Sequence, residues 1–367
     1  MSILRTQAME NVINITGADF PPSPVFVDFL ARYLDSAGFT DEIWHDQLSE
    51  ELSGAPRKMR ERARVQLERL TADGTARTAI SSAYGWFQQL AVSDLDALRR
   101  LHQRFRFIAV IGVPRSGGSY LIAELFSALG YEASSVPGAI AHDGFPEAGP
   151  SVFMPRHNGW MRTMLTTAEY IAMLELFFKR QGARIHVPKK LTKAIYASGF
   201  FKQVLGGDAE FVVTVRHPLA CFISTYEKSG GLPPDGAFTQ RSTIEHWVRR
   251  DLLSVGVSSD ELATLDYFSA YVRYWEHYYI ALAMSGLVRN RRTTVVGFGP
   301  ERMHQLAGHW HGRFASGRAP ARFLTRTGLQ DRHPQWIQRS LEAIERVANL
   351  WQAMGIPFPV AELGECL

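Results

Sequence analysis

Cysteine is nearly missing: Cys221 and Cys366 are the only two in 367 residues. That number builds no disulfide framework and no zinc site, and it suits a reducing compartment, so a cytoplasmic location is expected. No apolar run reaches the roughly 18–20 residues that span a bilayer, and residues 1–17 lack the long apolar core of a signal peptide. No membrane span is therefore expected. Dense Lys/Arg runs with interleaved aromatics are also lacking, which argues against nucleic acid as a partner. The net charge of +4 is modest. It reads as ordinary surface charge or as a basic funnel for a polyanionic ligand. No internal repeat or low-complexity tract is present.

What is present is a chain long and apolar enough, at 46% hydrophobic residues, to bury a large core. Residues 105–130, FRFIAVIGVPRSGGSYLIAELFSALG, are the most informative stretch. Residues 107–111 are a short apolar run bounded by Gly112 and Pro114, as expected of a central parallel strand. Residues 120–129 carry apolar residues at helical spacing and end at Gly130, a C′ position. Between them lies the Gly/Ser-rich loop 112–119. Such a turn, feeding a helix N-terminus, presents backbone N–H groups at the positive end of the helix dipole. The expected ligand is an anion of the phosphate type.

The loop also lacks something. Gly112 and Gly117 have the spacing of G-x-x-x-x-G-K-[ST], and Ser119 holds the hydroxyl position, but Gly118 stands where that motif has lysine. A cation sits earlier instead, at Arg115. A second apolar run, residues 211–215 (FVVTV), reads as another buried strand. In a metal-dependent nucleotide enzyme such a strand ends in an acid that holds Mg²⁺. This one ends in Arg216, followed by His217 and Pro218, and Ser224 lies eight residues beyond Arg216 in a segment that reads as helical. A cation and a hydroxyl suit an additional phosphate better than a metal.

Together these residues resemble the sulfotransferases that use 3′-phosphoadenosine 5′-phosphosulfate (PAPS). That family's first motif, roughly P-[KR]-[ST]-G-[TS]-[TS], is matched by Pro114, Arg115, Ser116, Gly117, Gly118 and Ser119. Its second motif, a strand-ending Arg with a Ser eight residues on, is matched by Arg216 and Ser224. Residues 271–296 resemble the family's Trp-containing helix and the strand that follows, and the helix before Gly355 resembles its last helix. The resemblance covers roughly residues 104–358. Three departures stand out. Gly118 replaces a hydroxyl residue. Gly297-Phe298-Gly299 stands where the family often has Tyr-Glu-Asp. The histidine that the cytosolic branch places two residues after a middle-strand lysine is absent, since Lys189 is followed by Lys190 and Leu191.

The resemblance implies an α/β fold of the P-loop NTPase-like sulfotransferase type, with a central parallel sheet flanked by helices. It implies PAPS as the donor co-substrate, 3′,5′-ADP (PAP) as the product, and no metal. Arg115 is expected to stabilise the leaving oxygen. Pro114, Ser116, Gly117, Gly118, Ser119 and Tyr120 are expected to hold the 5′-phosphate side. Arg216 and Ser224 are expected to bind the 3′-phosphate. Lys189 is the first choice for a lysine at the donor sulfate, with Lys190 second. The general base is left among His142, Asp143 and Glu147, on a loop, with His186 behind them. Each of these also has a plain reading as a surface, salt-bridge or core residue.

Residues 1–103 read as a helical N-terminal subdomain and 104–367 as the PAPS-dependent domain. Helices are expected over 25–38, 56–73 and most of 78–103; loops are expected at 137–155, 230–236 and 308–320. The aromatics Trp160, Tyr170, Phe177, Phe178, Tyr267 and Trp275 are candidates for an acceptor cleft, core packing being their commoner fate. A small-molecule acceptor is implied, but a hydroxylated metabolite, a lipid-like product and a carbohydrate all stay open, as does the oligomeric state. The competing function classes are a non-catalytic nucleotide-binding module and a P-loop kinase or NTPase.

Overall fold

In the computed structural model, residues 20–35, 56–132, 135–146, 156–179, 184–228, 230–241, 243–323, 325 and 333–366 are described. In chain order these include α1 (Pro24–Leu34), α2 (Pro56–Leu70), α3 (Gly74–Ala91), α4 (Leu95–Arg104), β1 (Phe105–Ile111), α5 (Gly118–Ala128) and α6 (Arg156–Phe177). Then come β2 (Ile185–Lys190), α7 (Ser198–Leu205), β3 (Glu210–Val215), α8 (Pro218–Lys228), α9 (Thr243–Ser254) and α10 (Tyr267–Met284). The last are β4 (Thr293–Gly297), α11 (Pro300–Arg313) and α12 (Pro334–Ala353). Among the described residues no helix is long and apolar enough to cross a membrane.

The chain divides into two compact units, Met1–Phe105 with Ser134–Ile185, and Arg106–Ala133 with His186–Leu367. The helical unit is thus larger than its first hundred residues, because 134–185 joins it. The reason is packing. The stripe Ala76, Ala79, Ala83, Phe87 and Leu90 on α3 is buried against α6. Its small residues let the two backbones approach. The α6 carboxylate of Glu175 accepts from Ser82 Oγ (3.0 Å) and Trp86 Nε1 (3.2 Å) of α3. Glu169, also on α6 and fully buried, accepts from Ser23 N at 2.7 Å and so fixes the start of α1. Ser23 in turn caps α1 through Phe26 N.

The second unit is α/β: a parallel sheet flanked by helices, with strand order β2-β1-β3-β4. β1 pairs with β3 from Ile108↔Glu210 to Ile111↔Val213, and β3 pairs with β4 from Phe211↔Thr293 to Val215↔Gly297. β1 is central and fully buried from Phe107 to Ile111. β2, expected as a middle strand, lies at the sheet edge among the described residues. The chain runs from β1 to β2 on one side and then to β3 on the other. The strand order therefore reverses between β1 and β3, and ligands of open α/β sheets bind at the carboxyl ends of the strands at such a point.

One tyrosine-rich helix fixes those carboxyl ends. On α10, Trp275, Tyr278 and Tyr279 are fully buried. Trp275 Nε1 donates to Arg216 O (3.0 Å), Tyr278 Oη to Thr192 O (2.9 Å) and Tyr279 Oη to Thr214 O (2.7 Å). Trp275, Tyr267, Tyr170 and Phe178 are core residues, Phe177 is half-buried and Trp160 is exposed. The loop expected at 308–320 is helical as far as Arg313. Two glycines in six residues suggested a break. Instead Met303, Ala307, Trp310 and His311 form a buried stripe at helical spacing. Its packing outweighs the roughly 1 kcal/mol that each glycine costs a helix.

Candidate functional site at the carboxyl end of the sheet

The loop between β1 and α5 is built on close approach. A Cβ added to Gly112 would stand 2.2 Å from Thr214 Oγ1 and 2.6 Å from Thr214 O, so only glycine fits. Gly117 has φ +95° and its Cβ would meet Met303 at 2.8 Å. Arg115 has φ +68°, an uncommon backbone for a residue with a side chain. Gly117 caps α5 with no side-chain hydrogen bond, whereas Ser23, Asp73, Asp94 and Asp266 cap α1, α3, α4 and α10. The first turn of α5 therefore keeps its N–H groups uncapped by any side chain, the arrangement that receives an anion.

The site brings the two sequence motifs together. Arg115 Nε donates to Ser224 Oγ at 3.1 Å, and Arg216 Nη1 donates to Arg115 O at 3.0 Å. Residues 101 and 109 positions apart thus share one cluster at the switch point. The Arg216 guanidinium lies 4.0 Å from the centroid of Phe298, a cation–π contact from the segment after β4. Phe323 packs edge-on to Phe298 at 5.2 Å and against Tyr120 at 4.6 Å. Tyr120 Oη donates to Ala321 O (2.8 Å), and burial with the nearby Glu124 pushes its pKa up to about 12, so it stays a neutral donor.

The loop serines divide. Ser119 is exposed on the first turn of α5, while Ser116 is 1% exposed. Ser116 Oγ donates to Val113 O (2.7 Å) and lies 2.7 Å from Thr214 Oγ1. A hydroxyl has one proton, so Thr214 is the donor in that pair. The expectation that Ser116 offers its hydroxyl to a phosphate is met here by a different arrangement: the hydroxyl pins the loop to β3. Pro114 is half-buried at the turn.

The two lysines also divide. Lys189 is fully buried, 0% exposed, on β2. Lys190, half-buried, runs its stem across the loop: a Cβ on Gly118 would be 3.2 Å from Lys190 Cε. A neighbouring strand thus carries a lysine over the position where the loop has none, and that position is glycine so the stem can pass. Thr192 Oγ1, just after β2, donates to Gly112 O (3.0 Å) and ties this segment to the loop.

His217 follows Arg216 and is 2% exposed. Its Nδ1 accepts from Leu219 N (3.3 Å) at the start of α8. Burial, then the Arg216 charge, push its pKa down to about 4, so the imidazole is neutral and adds no charge to the cluster. The α8 thiol of Cys221 is fully buried and pushed up to about 12, so it is inert near neutrality.

The candidate bases fall in different parts of the chain. His142 and Asp143 are half-buried in the helical unit, just after a short helix Gly138–Ala141. Glu147 lies outside the described residues. His186 is near the amino end of β2, edge-on to Phe314 at 5.0 Å and within the field of Glu210. That is four residues, roughly 13 Å of strand, from Lys190, at the end of the sheet away from the loop.

Sequence reading missed Thr214, Thr192 and Phe298. Thr214 had a signal: it is the one polar residue in the run FVVTV. The ring of Phe298 over Arg216 had none. Among the described residues no group of His, Cys, Asp and Glu is placed to hold a metal. Compared with family models, curated proteins and solved structures, the chain matches none.

Proposed function

We propose that the chain is a PAPS-dependent sulfotransferase of P-loop type. The observation that carries this reading is the cluster at the switch point. Arg115 of the loop is hydrogen-bonded to Ser224 and to Arg216, the two residues that the resemblance assigns to a 3′-phosphate. Gly112, which admits no Cβ, an α5 N-terminus uncapped by a side chain and a lysine stem over Gly118 support the binding of a 5′-phosphosulfate at this loop.

In the reaction, a lone pair of the acceptor oxygen forms a new O–S bond. The bond from sulfur to the phosphate's bridging oxygen breaks, and its electron pair stays on that oxygen. The acceptor proton passes to a base. The products are a sulfate ester and 3′,5′-ADP. Positioning and electrostatic stabilisation do most of the work in such displacements. Arg115 and Lys190 are the cations this reading assigns to the leaving oxygen. Lys190 is preferred over Lys189 because its stem reaches the loop while Lys189 is wholly buried.

The test is transfer of a sulfuryl group from labelled PAPS to compounds of a cell extract, followed by product mass, with and without EDTA. The reading expects products heavier by one sulfuryl group and no loss in EDTA, since the residue that follows β3 is Arg216 and not an acid. Binding of 3′,5′-ADP with no product from any acceptor would favour a non-catalytic module. Stabilisation only by ATP with Mg²⁺ would favour an NTPase. His142→Ala, Asp143→Ala and Glu147→Ala sort the base candidates: the base variant loses kcat and keeps its affinity for 3′,5′-ADP.

A further inference from the structure

An open cleft of about 730 Å³ lies along β4, which is at the sheet edge among the described residues. One face of β4 forms its floor, since Thr293 and Val295 are two residues apart and share a face. The chain that leaves α12, residues 353–359, forms its wall. Gly355, at φ +70°, ends α12, and Pro357 and Pro359 fix φ in the stretch that follows. Phe358 anchors this wall against Trp351 (centroids 5.1 Å apart) and Tyr279 (6.0 Å). The cleft is thus set before a ligand arrives, and its volume is that of a small-molecule site. None of the loop residues 112–119 lines it, and neither do Arg216 and Ser224.

The two ends of the cleft differ in charge. Before the amino end of β4 stand Arg289 and Arg291, both exposed. Among the described residues neither side chain has a hydrogen bond, an ion pair or a ring contact. Their turn is held by its neighbours. Asn290 Nδ2 donates to Ala209 O (3.2 Å), Asn290 Oδ1 accepts from Arg292 N (3.0 Å) and Arg292 Nη1 donates to Asp208 O (2.7 Å). At the other end Glu362 lies over Gly297, where an added Cβ would be 2.6 Å from Glu362 Cβ. Thr293 and Gly297 are separated by roughly 13 Å of strand. Between the two ends Val288, Val295, Met354, Ile356 and Phe358 make the lining mainly apolar.

We infer that this cleft binds an unbranched organic monoanion, a medium-chain carboxylate. Its carboxylate meets Arg289 and Arg291, and its chain runs along Val295 towards Glu362. Two cations without a counter-ion at one end call for an anion, and their fork geometry suits a carboxylate. The apolar floor and wall, drawn out along a strand, call for a chain that buries its methylenes there. Glu362 at the far end repels a second negative charge, so a dicarboxylate of the same length is disfavoured. The inference does not depend on the sulfotransferase reading, because the cleft shares no lining residue with the donor site.

The test is calorimetric titration of the full chain with sodium octanoate, 1-octanol and disodium octanedioate, with and without saturating 3′,5′-ADP. Octanoate should bind saturably at one site and more tightly than the other two. The double variant Arg289→Ala, Arg291→Ala should melt as the parent does, since neither side chain has a partner, and should bind octanoate about threefold to tenfold more weakly. Glu362→Gln should narrow the gap between octanoate and octanedioate. The proposal is overturned if octanoate does not bind, if 1-octanol or octanedioate binds as tightly, or if the double variant keeps the parent's affinity for octanoate. It is also overturned if 3′,5′-ADP displaces octanoate, which would put the anion at the loop. Octanoate binding in a chain that binds no 3′,5′-ADP keeps this cleft and removes the donor site, and the reverse removes only the cleft.

Discussion

The two ends of the sheet carry similar cations in different company. At the amino end, Arg106 of β1 and Arg313 of α11 both meet the Glu210 carboxylate, at 2.9 Å and 2.6 Å. At the carboxyl end, Arg115 and Arg216 are held by a serine hydroxyl, a backbone carbonyl and an aromatic face. The first set of partners cancels charge. The second fixes direction. Arg115 sits on a backbone at φ +68°, in a loop whose Gly112 admits no Cβ.

Each end can be disturbed separately. The largest effect is expected at Arg115. Arg115→Ala should lower kcat by on the order of 10²–10³-fold, roughly 2.7–4 kcal/mol, as for loss of an oxyanion donor, with a smaller rise in KM for PAPS. A change confined to KM, read from steady-state kinetics, would make Arg115 a plain binding cation like those at the other end.

His217 comes next. Its pKa of about 4 lies below the usual 6.5. Between those values the unfolded chain binds the proton and the folded one does not, so stability rises with pH across that window and is lost as pH falls through it. The span corresponds to about 3 kcal/mol. His217→Asn should flatten the slope of stability between about pH 4 and 6.5, as read by denaturant melts at several pH values. An unchanged slope would show that the imidazole is charged in the fold and belongs to the cationic cluster.

The smallest effect concerns the amino end. Burial would raise the Glu210 pKa, but the Arg313 hydrogen bond and the Arg313 and Arg106 charges outweigh it and lower the pKa. The stability it supplies is therefore present above the ordinary carboxylate range and fades as pH falls below it. Glu210→Gln should cost about 1–2 kcal/mol near neutral pH and leave affinity for 3′,5′-ADP unchanged. A loss of affinity would mean that the two ends are not separable.

Much of the carboxyl-end site was legible because it is local in sequence. An apolar run, a glycine turn and an amphipathic segment predict β1, its loop and α5 from residues 107–130, and Gly130 takes φ +89° after α5 as expected of a C′ glycine. Likewise 211–215 and Pro218 mark β3 and the start of α8. What was not legible depends on who packs against whom. Ser116 and Ser119 are alike on paper, but only the tertiary position of Thr214 turns one of them inward. Lys189 and Lys190 differ by one place on a strand, and one place is the difference between faces. The stripe on α11 prevails over Gly308 and Gly312 through contacts that no local propensity contains. The membership of 134–185 in the helical unit rests on α6 lying along α3, a long-range pairing with no turn signal to announce it.

The central claim is that the carboxyl end of the sheet reads a nucleotide by its 3′-phosphate. Its most direct test is calorimetric comparison of 3′,5′-ADP with 5′-AMP, in the parent and in Arg216→Ala. The account predicts that the parent prefers 3′,5′-ADP and that Arg216→Ala removes roughly 1.5–3 kcal/mol of its binding, the range of a charge-assisted hydrogen bond, while 5′-AMP is scarcely affected. Equal affinity of the parent for both nucleotides, or equal losses for both on Arg216→Ala, would contradict it.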